Sequence, residues 1–122
     1  MVSGERGKLI TVCGIINAIG NALPPVFIFP HAKMCESLMI NAPEGSLGFE
    51  NSPTSGWMTG ALFLKVLQHT KNYTRCNHDA PILVLIGNYE SHCTLDAVLY
   101  CRQNGIVLCT FPPHCTHRLQ PL

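Results

Sequence analysis

The sequence predicts an α/β fold in which a β-hairpin precedes a βαβ unit. Two runs of β-favouring residues flank a Gly-Asn turn between residues 9 and 29, which indicates a hairpin. Two further apolar runs, at residues 81 to 86 and 106 to 111, flank a segment with helical periodicity, which indicates a βαβ unit. With 122 residues, the chain forms one domain or part of one.

The predicted hairpin begins with Leu9 to Asn17, a strand rich in Ile, Val and Thr. Ala18 to Asn21 supplies Gly and Asn for the turn. Val26 to Phe29 is the predicted second strand, and the chain enters it through Pro24-Pro25. Residues 31 to 57 carry Gly, Pro, Ser and Asn without periodicity, so they are predicted to form a long loop.

Thr59 is predicted to cap a helix that runs to about His69, because the apolar residues of this segment fall on one side. The next strand, Pro81 to Ile86, is apolar throughout, as expected for a strand that is covered on both faces. A second helix is predicted from Thr94 to Asn104, with Thr94 as its cap and Gly105 as its terminator.

The last predicted strand is Ile106 to Phe111. Because a helix connects it to Pro81 to Ile86, the two strands are expected to be parallel, with a right-handed crossover. The tail, Pro112 to Leu122, contains several prolines and is expected to be irregular.

Composition narrows the class of protein. Apolar residues make up 47% and charged residues 12%, which is typical of a globular domain, and a net charge of +1 gives no basic footprint for nucleic acid. The seven cysteines are odd in number and form no Cys-x-x-Cys pair, so we expect reduced thiols in a nuclear or cytosolic compartment. Asn and Pro interrupt the longest apolar stretch, Leu9 to Phe29, so no membrane span is expected.

Several stretches form an ordered set of motifs. They are Gly4-Glu5-Arg6-Gly7 followed by Ile10-Thr11-Val12, Asn17 to Pro25, Ser55-Gly56-Trp57-Met58, Pro81 to His92, and Asn104-Gly105-Ile106 followed by Pro112 to Leu122. In this order they resemble the DDE superfamily endonuclease domain of pogo- and Tigger-like transposases and of the cellular proteins derived from them. Each motif alone is weak, and their order makes the resemblance specific. It implies a ribonuclease-H-like fold.

The resemblance also implies a catalytic centre in which three acidic residues hold two Mg²⁺ or Mn²⁺ ions for attack on DNA phosphate. Gly87 occupies the position of the second acid. The first is expected on a strand before Gly4, and the third directly after Leu122. We therefore expect a fragment that lacks the first, central strand and the C-terminal helix. It should have no intact catalytic or metal site and no cofactor as it stands.

The resemblance places the remnant of the site at Gly87, Asn88, Ser91, His92, His114 and His117. No other acid is expected to substitute, since Asp79 precedes its strand, Asp96 lies in the first turn of a helix, and Glu90 accompanies the family's aspartate. His92 has two interpretations, a group near phosphate or a turn histidine bonded to backbone carbonyls. Zinc is not expected at residues 114 to 117, because zinc normally takes ligands from two separated pairs.

The resemblance implies one partial endonuclease-like domain over residues 1 to 122, with a hairpin over 1–30, a loop over 31–57, and a helix, βαβ unit and tail over 58–122. The predicted function is transposase-derived nucleic-acid binding without catalysis, in the nucleus, as part of a longer protein. One alternative is a protein-interaction module, and another is an incomplete gene model of an active transposase. Self-association is also expected, because unpaired strand edges can recruit other strands.

Overall fold

The computed structural model describes residues 10–30, 39–50, 58–87 and 94–110. The chain divides into two compact units, Met1–Met58 and Thr59–Leu122. The described residues form two β-sheets and two helices, which confirms the predicted α/β class. The ribonuclease-H-like arrangement of the strands stays a prediction.

The first unit contains a three-stranded sheet in the order β1-β2-β3. β1 is Thr11–Ile16, β2 is Ala22–Phe29 and β3 is Leu47–Glu50. β1 and β2 are antiparallel, which confirms the predicted hairpin, whereas β3 runs parallel to β2. The buried side chains of β2 are those of Val26, Ile28 and Phe29.

The hairpin turn is organised by Asn17. Its side-chain oxygen accepts hydrogen bonds from the amides of Ile19 (3.1 Å) and Asn21 (2.9 Å). Its own amide donates to the carbonyl of Asn21 at 2.9 Å. Gly20 has φ +94°, a conformation that a residue with a Cβ rarely adopts, so the glycine completes the turn. The predicted turn is therefore confirmed.

The second strand is longer than predicted, because it includes Pro24 and Pro25 instead of beginning after them. The pairing moves from Cys13 opposite Val26 to Ile15 opposite Leu23, so the extra residue of this β-bulge lies on β2. Proline cannot donate a ladder hydrogen bond, and a bulge is one of the places where a strand tolerates it.

The predicted loop over residues 31 to 57 is wrong at Leu47–Glu50, which forms β3. This strand pairs Leu47 with Val26 and Glu50 with Phe29. Four residues that include a glycine are too short for periodicity to reveal a strand, and parallel pairing depends on a distant part of the chain.

The second unit contains α1 (Gly60–Thr74), β4 (Ile82–Ile86), α2 (Leu95–Asn104) and β5 (Ile106–Thr110). β4 and β5 pair in parallel from Ile82 opposite Ile106 to Ile86 opposite Thr110. The predicted parallel pair with an intervening helix is thus confirmed. Its crossover handedness stays a prediction.

Helix boundaries follow local signals. Thr59 and Thr94 cap α1 and α2, each accepting from a backbone amide at 3.2 Å, and Gly105 ends α2 at φ +74°. α1 continues five residues past the predicted end at His69, to Thr74, and stops at Arg75, whose φ is 54°. In this last part of the helix, the hydroxyl groups of Thr70 and Thr74 donate to carbonyls four residues back.

The sheet of β4 and β5 is covered on one face. Leu83, Leu85 and Val107 on the other face are 60%, 57% and 53% exposed. The expectation that β4 is covered on both faces is therefore wrong for the described residues. A continuous apolar run is compatible with burial on both faces, but it does not specify which segment covers each face.

Candidate functional site

Gly87, where the resemblance implies the second acid, lies at the carboxyl ends of the parallel strands. Gly87 follows β4 directly, and Ile86 lies opposite Thr110 at the end of β5. In open α/β sheets, ligands bind beyond the carboxyl ends of the strands. Gly87 is half-buried there and contributes no side chain. The position therefore offers no side-chain oxygen to a divalent cation.

The other predicted neighbours of the site lie outside the described residues. They are Asn88, Ser91, His92, His114 and His117. Glu90 also lies outside them. The two interpretations of His92 therefore both stay predictions.

The second unit has two described carboxylates, those of Asp79 and Asp96. Asp79 lies in the Asn77–Ala80 turn before β4, at the end opposite Gly87, so about 17 Å of strand separates them. Asp96 lies in the first turn of α2, where the helix dipole favours a negative charge. Within residues 10–30, 39–50, 58–87 and 94–110, no group of three His, Cys, Asp or Glu side chains is placed to hold a metal ion.

A groove of about 450 Å³ lies between α1 and the beginning of α2. Its lining residues are Gly60, Ala61, Leu64, Lys65, Gln68, Thr94 and Asp96. Lys65 and Asp96 have opposite charges, so the groove carries no net charge from its lining. Gln68 adds an amide that can donate and accept. The lining therefore offers one positive charge, one negative charge and uncharged hydrogen-bonding groups.

The sequence did not predict this groove. The sequence feature that corresponds to it is the spacing of Ala61, Lys65 and Gln68, which puts small and polar side chains on one face of α1. The opposite face is apolar and buried, with Leu62, Val66 and others. A polar stripe of this kind usually faces solvent, so the spacing alone does not reveal a groove.

Tyr100, on α2, lies near the thiols of Cys76 and Cys101. Burial raises the pKa of Tyr100, and the nearby thiols of Cys76 and Cys101 raise it further. Both thiols are buried, at 2% and 4% exposure. Buried cysteines in such surroundings behave as small hydrophobic residues.

The order of the motifs and the parallel βαβ unit are both consistent with one known protein family. A family model described as DDE superfamily endonuclease matches residues 7–122. The chain belongs to the DDE superfamily endonuclease family. This confirms the resemblance inferred from the motifs. The resemblance implies an aspartate at the position of Gly87, and this assignment stays a prediction.

A curated protein also matches this member of the endonuclease family. The MFS-type transporter clz9 of Cochliobolus lunatus is 27% identical over 122 residues, which cover 99% of this chain and 13% of that protein. The chain thus spans a small part of the length of its relative. Neither described helix combines the length and apolar character needed to cross a bilayer. No solved structure matches the chain.

Proposed function

We propose that the chain is a transposase-derived endonuclease-like domain that associates with nucleic acid without cleaving it. Membership of the DDE superfamily endonuclease family supports the transposase origin and a nucleic-acid partner. We further propose that the domain acts in the nucleus, within a longer protein. The relative's greater length supports the second point.

The observation that carries the loss of catalysis is Gly87. It lies directly after β4, beside the end of β5, where the family resemblance places a metal-binding aspartate. Two-metal catalysis needs both ions held by carboxylates in fixed positions. Hard divalent cations such as Mg²⁺ prefer oxygen ligands, and glycine supplies none from a side chain. A site without this carboxylate loses the ligand that such chemistry requires.

The proposed association with nucleic acid is weak for the chain alone. The net charge is +1, and the lining of the groove between α1 and α2 includes one cation, Lys65, and one carboxylate, Asp96. Phosphate contacts by Lys and Arg supply most of the affinity for nucleic acid, so few such contacts give weak binding. The affinity for nucleic acid should rise when an uncharged side chain replaces the carboxylate of Asp96.

Fluorescence anisotropy with a labelled DNA duplex tests the proposal. The full chain should bind weakly, and its dissociation constant should increase with salt concentration because bound counterions are released. Asp96→Asn should tighten binding, and Lys65→Gln should weaken it. An affinity that does not change with salt or with either substitution would contradict the proposal.

A second candidate function is a protein-interaction module. It is favoured by the exposed apolar face of β4 and β5, where Leu83, Leu85 and Val107 are all more than half exposed. Neighbouring apolar side chains on one sheet face are typical of a surface that a partner covers. In a capture experiment with nuclear proteins, the full chain should bind specific proteins. The Leu85→Lys variant should no longer bind them, whereas the Thr110→Ser variant should still bind them. Equal capture by both variants would exclude this face.

A further inference from the structure

Asn104 and Gly105 form an Asn-Gly pair where α2 ends and β5 begins. Asn104 is the last residue of α2, and it is the one asparagine of the sequence that precedes a glycine. Glycine has no side chain to shield its backbone nitrogen. In such a pair this nitrogen can attack the side-chain amide carbon of the asparagine, which then loses ammonia. The two residues therefore place a nucleophile next to an electrophile.

The structure holds the electrophile, the side-chain amide of Asn104. Its Nδ2 group donates to the carbonyl oxygen of Tyr100 at 2.7 Å. This hydrogen bond directs the amide toward the preceding turn of α2, because side chains of a helix lean toward its amino end. The nitrogen of Gly105 belongs to the peptide that follows Asn104. The amide carbon is therefore kept away from its attacking group.

The structure also holds the nucleophile, because Gly105 is buried and has three backbone contacts. Its amide donates to the carbonyl of Cys101, so the proton that must leave before attack takes part in a hydrogen bond. Its carbonyl accepts from the amide of Ile82 at 2.9 Å. Its α-carbon lies against the backbone of Asn77, where a Cβ would overlap the carbonyl group. The nitrogen can therefore turn toward Asn104 only after these contacts break.

We propose that Asn104 is a deamidation site that reacts only when the contacts of Gly105 with Cys101, Ile82 and Asn77 open. In the open state, the Gly105 amide gives up its proton to base, and its nitrogen bonds to Cγ of Asn104. The Cγ–Nδ2 bond breaks, and Nδ2 takes up a proton and leaves as ammonia. Water then opens the cyclic imide at either carbonyl, which gives an aspartate or an isoaspartate at residue 104.

Either product weakens the closed state. An aspartate has no side-chain N–H, so the hydrogen bond to the Tyr100 carbonyl is lost. Its negative charge lies in the last turn of α2, where the helix dipole disfavours it. An isoaspartate adds a methylene group to the backbone between α2 and β5, so Gly105 no longer keeps its position beside Asn77. Each opening that leads to reaction thus causes a permanent loss of stability.

Peptide mapping by mass spectrometry tests the proposal. The full chain is incubated under reducing conditions at mildly alkaline pH, in buffer and in denaturing urea. Deamidation at Asn104 should be at least about tenfold slower in buffer, which corresponds to an opening free energy of at least about 1.4 kcal/mol. In urea, Asn104 should react faster than Asn72, an internal reference whose following residue, Tyr73, shields its own backbone nitrogen.

Asn77→Ala tests whether the contacts of Gly105 control the reaction. It removes the side chain that holds the turn before β4 and leaves residues 104 and 105 unchanged. Deamidation at Asn104 should therefore be faster than in the unchanged chain in buffer and equally fast in urea. Gly20→Ala is the matched control, because it strains a turn of the other unit. It should leave the rate at Asn104 unchanged in both conditions, and circular dichroism confirms that both variants fold.

Four results would each overturn the proposal. They are equal deamidation rates at Asn104 in buffer and in urea, no reaction at Asn104 in urea, no acceleration by Asn77→Ala in buffer, and the same acceleration by Gly20→Ala. The first comparison needs no substitution, so it decides the matter even if Asn77→Ala does not fold.

Discussion

Gly105 lies against the backbone of Asn77 so closely that a Cβ on residue 105 would overlap the Asn77 carbonyl group. The carbonyl of Gly105 also accepts from the amide of Ile82 at 2.9 Å. The residue that ends α2 thus fixes the turn before β4 and the first pairing of β4 with β5. This junction lies at the amino ends of β4 and β5, and Gly87 lies at the carboxyl end of β4.

Gly105→Ala should lower the free energy of unfolding by about 2–4 kcal/mol, because the new Cβ combines an unfavourable positive φ with backbone overlap. Gly20→Ala is the matched control. Its φ is +94°, but nothing lies within 4 Å of the added Cβ, so only the backbone strain applies, at about 1–2 kcal/mol. Urea denaturation measures both. An equal loss in the two variants would show that the Asn77 contact contributes nothing.

Asn77→Ala should destabilise the chain by about 0.5–1.5 kcal/mol. The Asn77 side-chain oxygen accepts from the amides of Asp79 (2.8 Å) and Ala80 (2.9 Å), and these bonds hold the turn before β4. Asn77→Asp keeps an acceptor at the same place and should retain most of the stability. Thermal unfolding of the two variants distinguishes the loss of these hydrogen bonds from the change in side-chain size. Equal destabilisation would contradict this role.

Stability should fall at alkaline pH because of Cys13. Burial raises the pKa of this thiol above its ordinary value of 9.0. The folded chain therefore holds the proton to a higher pH than the unfolded chain does. The free energy of unfolding should be unaffected by this group below about pH 9, then decrease as the pH rises through the folded pKa. Cys13→Ser should decline less steeply in urea titrations across this range. Identical slopes would contradict the assignment.

Local sequence signals predicted the elements that depend on local contacts. Thr59 and Thr94 each accept a hydrogen bond from a backbone amide three residues ahead, and Gly105 adopts a positive φ. Such caps and terminators depend on neighbouring residues, so the local sequence predicts them. The parallel pairing of β4 and β5 followed from the short helical connection between them.

Features that depend on distant packing were missed. β3 pairs with β2 through residues far apart in the chain, and its four residues carry no periodic signal. The exposure of Leu83 and Leu85 depends on which segment covers a sheet face, and an apolar run does not specify that. The groove beside Lys65 depends on how two helices pack. The assignment of Gly87 to the position of an acid rests on the family resemblance, since composition and spacing alone do not reveal it, and it stays a prediction.

The central claim, that the site lacks catalysis because Gly87 supplies no carboxylate, is tested most directly by DNA cleavage. Supercoiled plasmid is incubated with the full chain and Mg²⁺ or Mn²⁺, and with Gly87→Asp in parallel. Neither chain should nick the plasmid above the metal-free control, because one restored carboxylate does not position two ions. Metal-dependent nicking by the unchanged chain that disappears with Glu90→Ala would contradict the account.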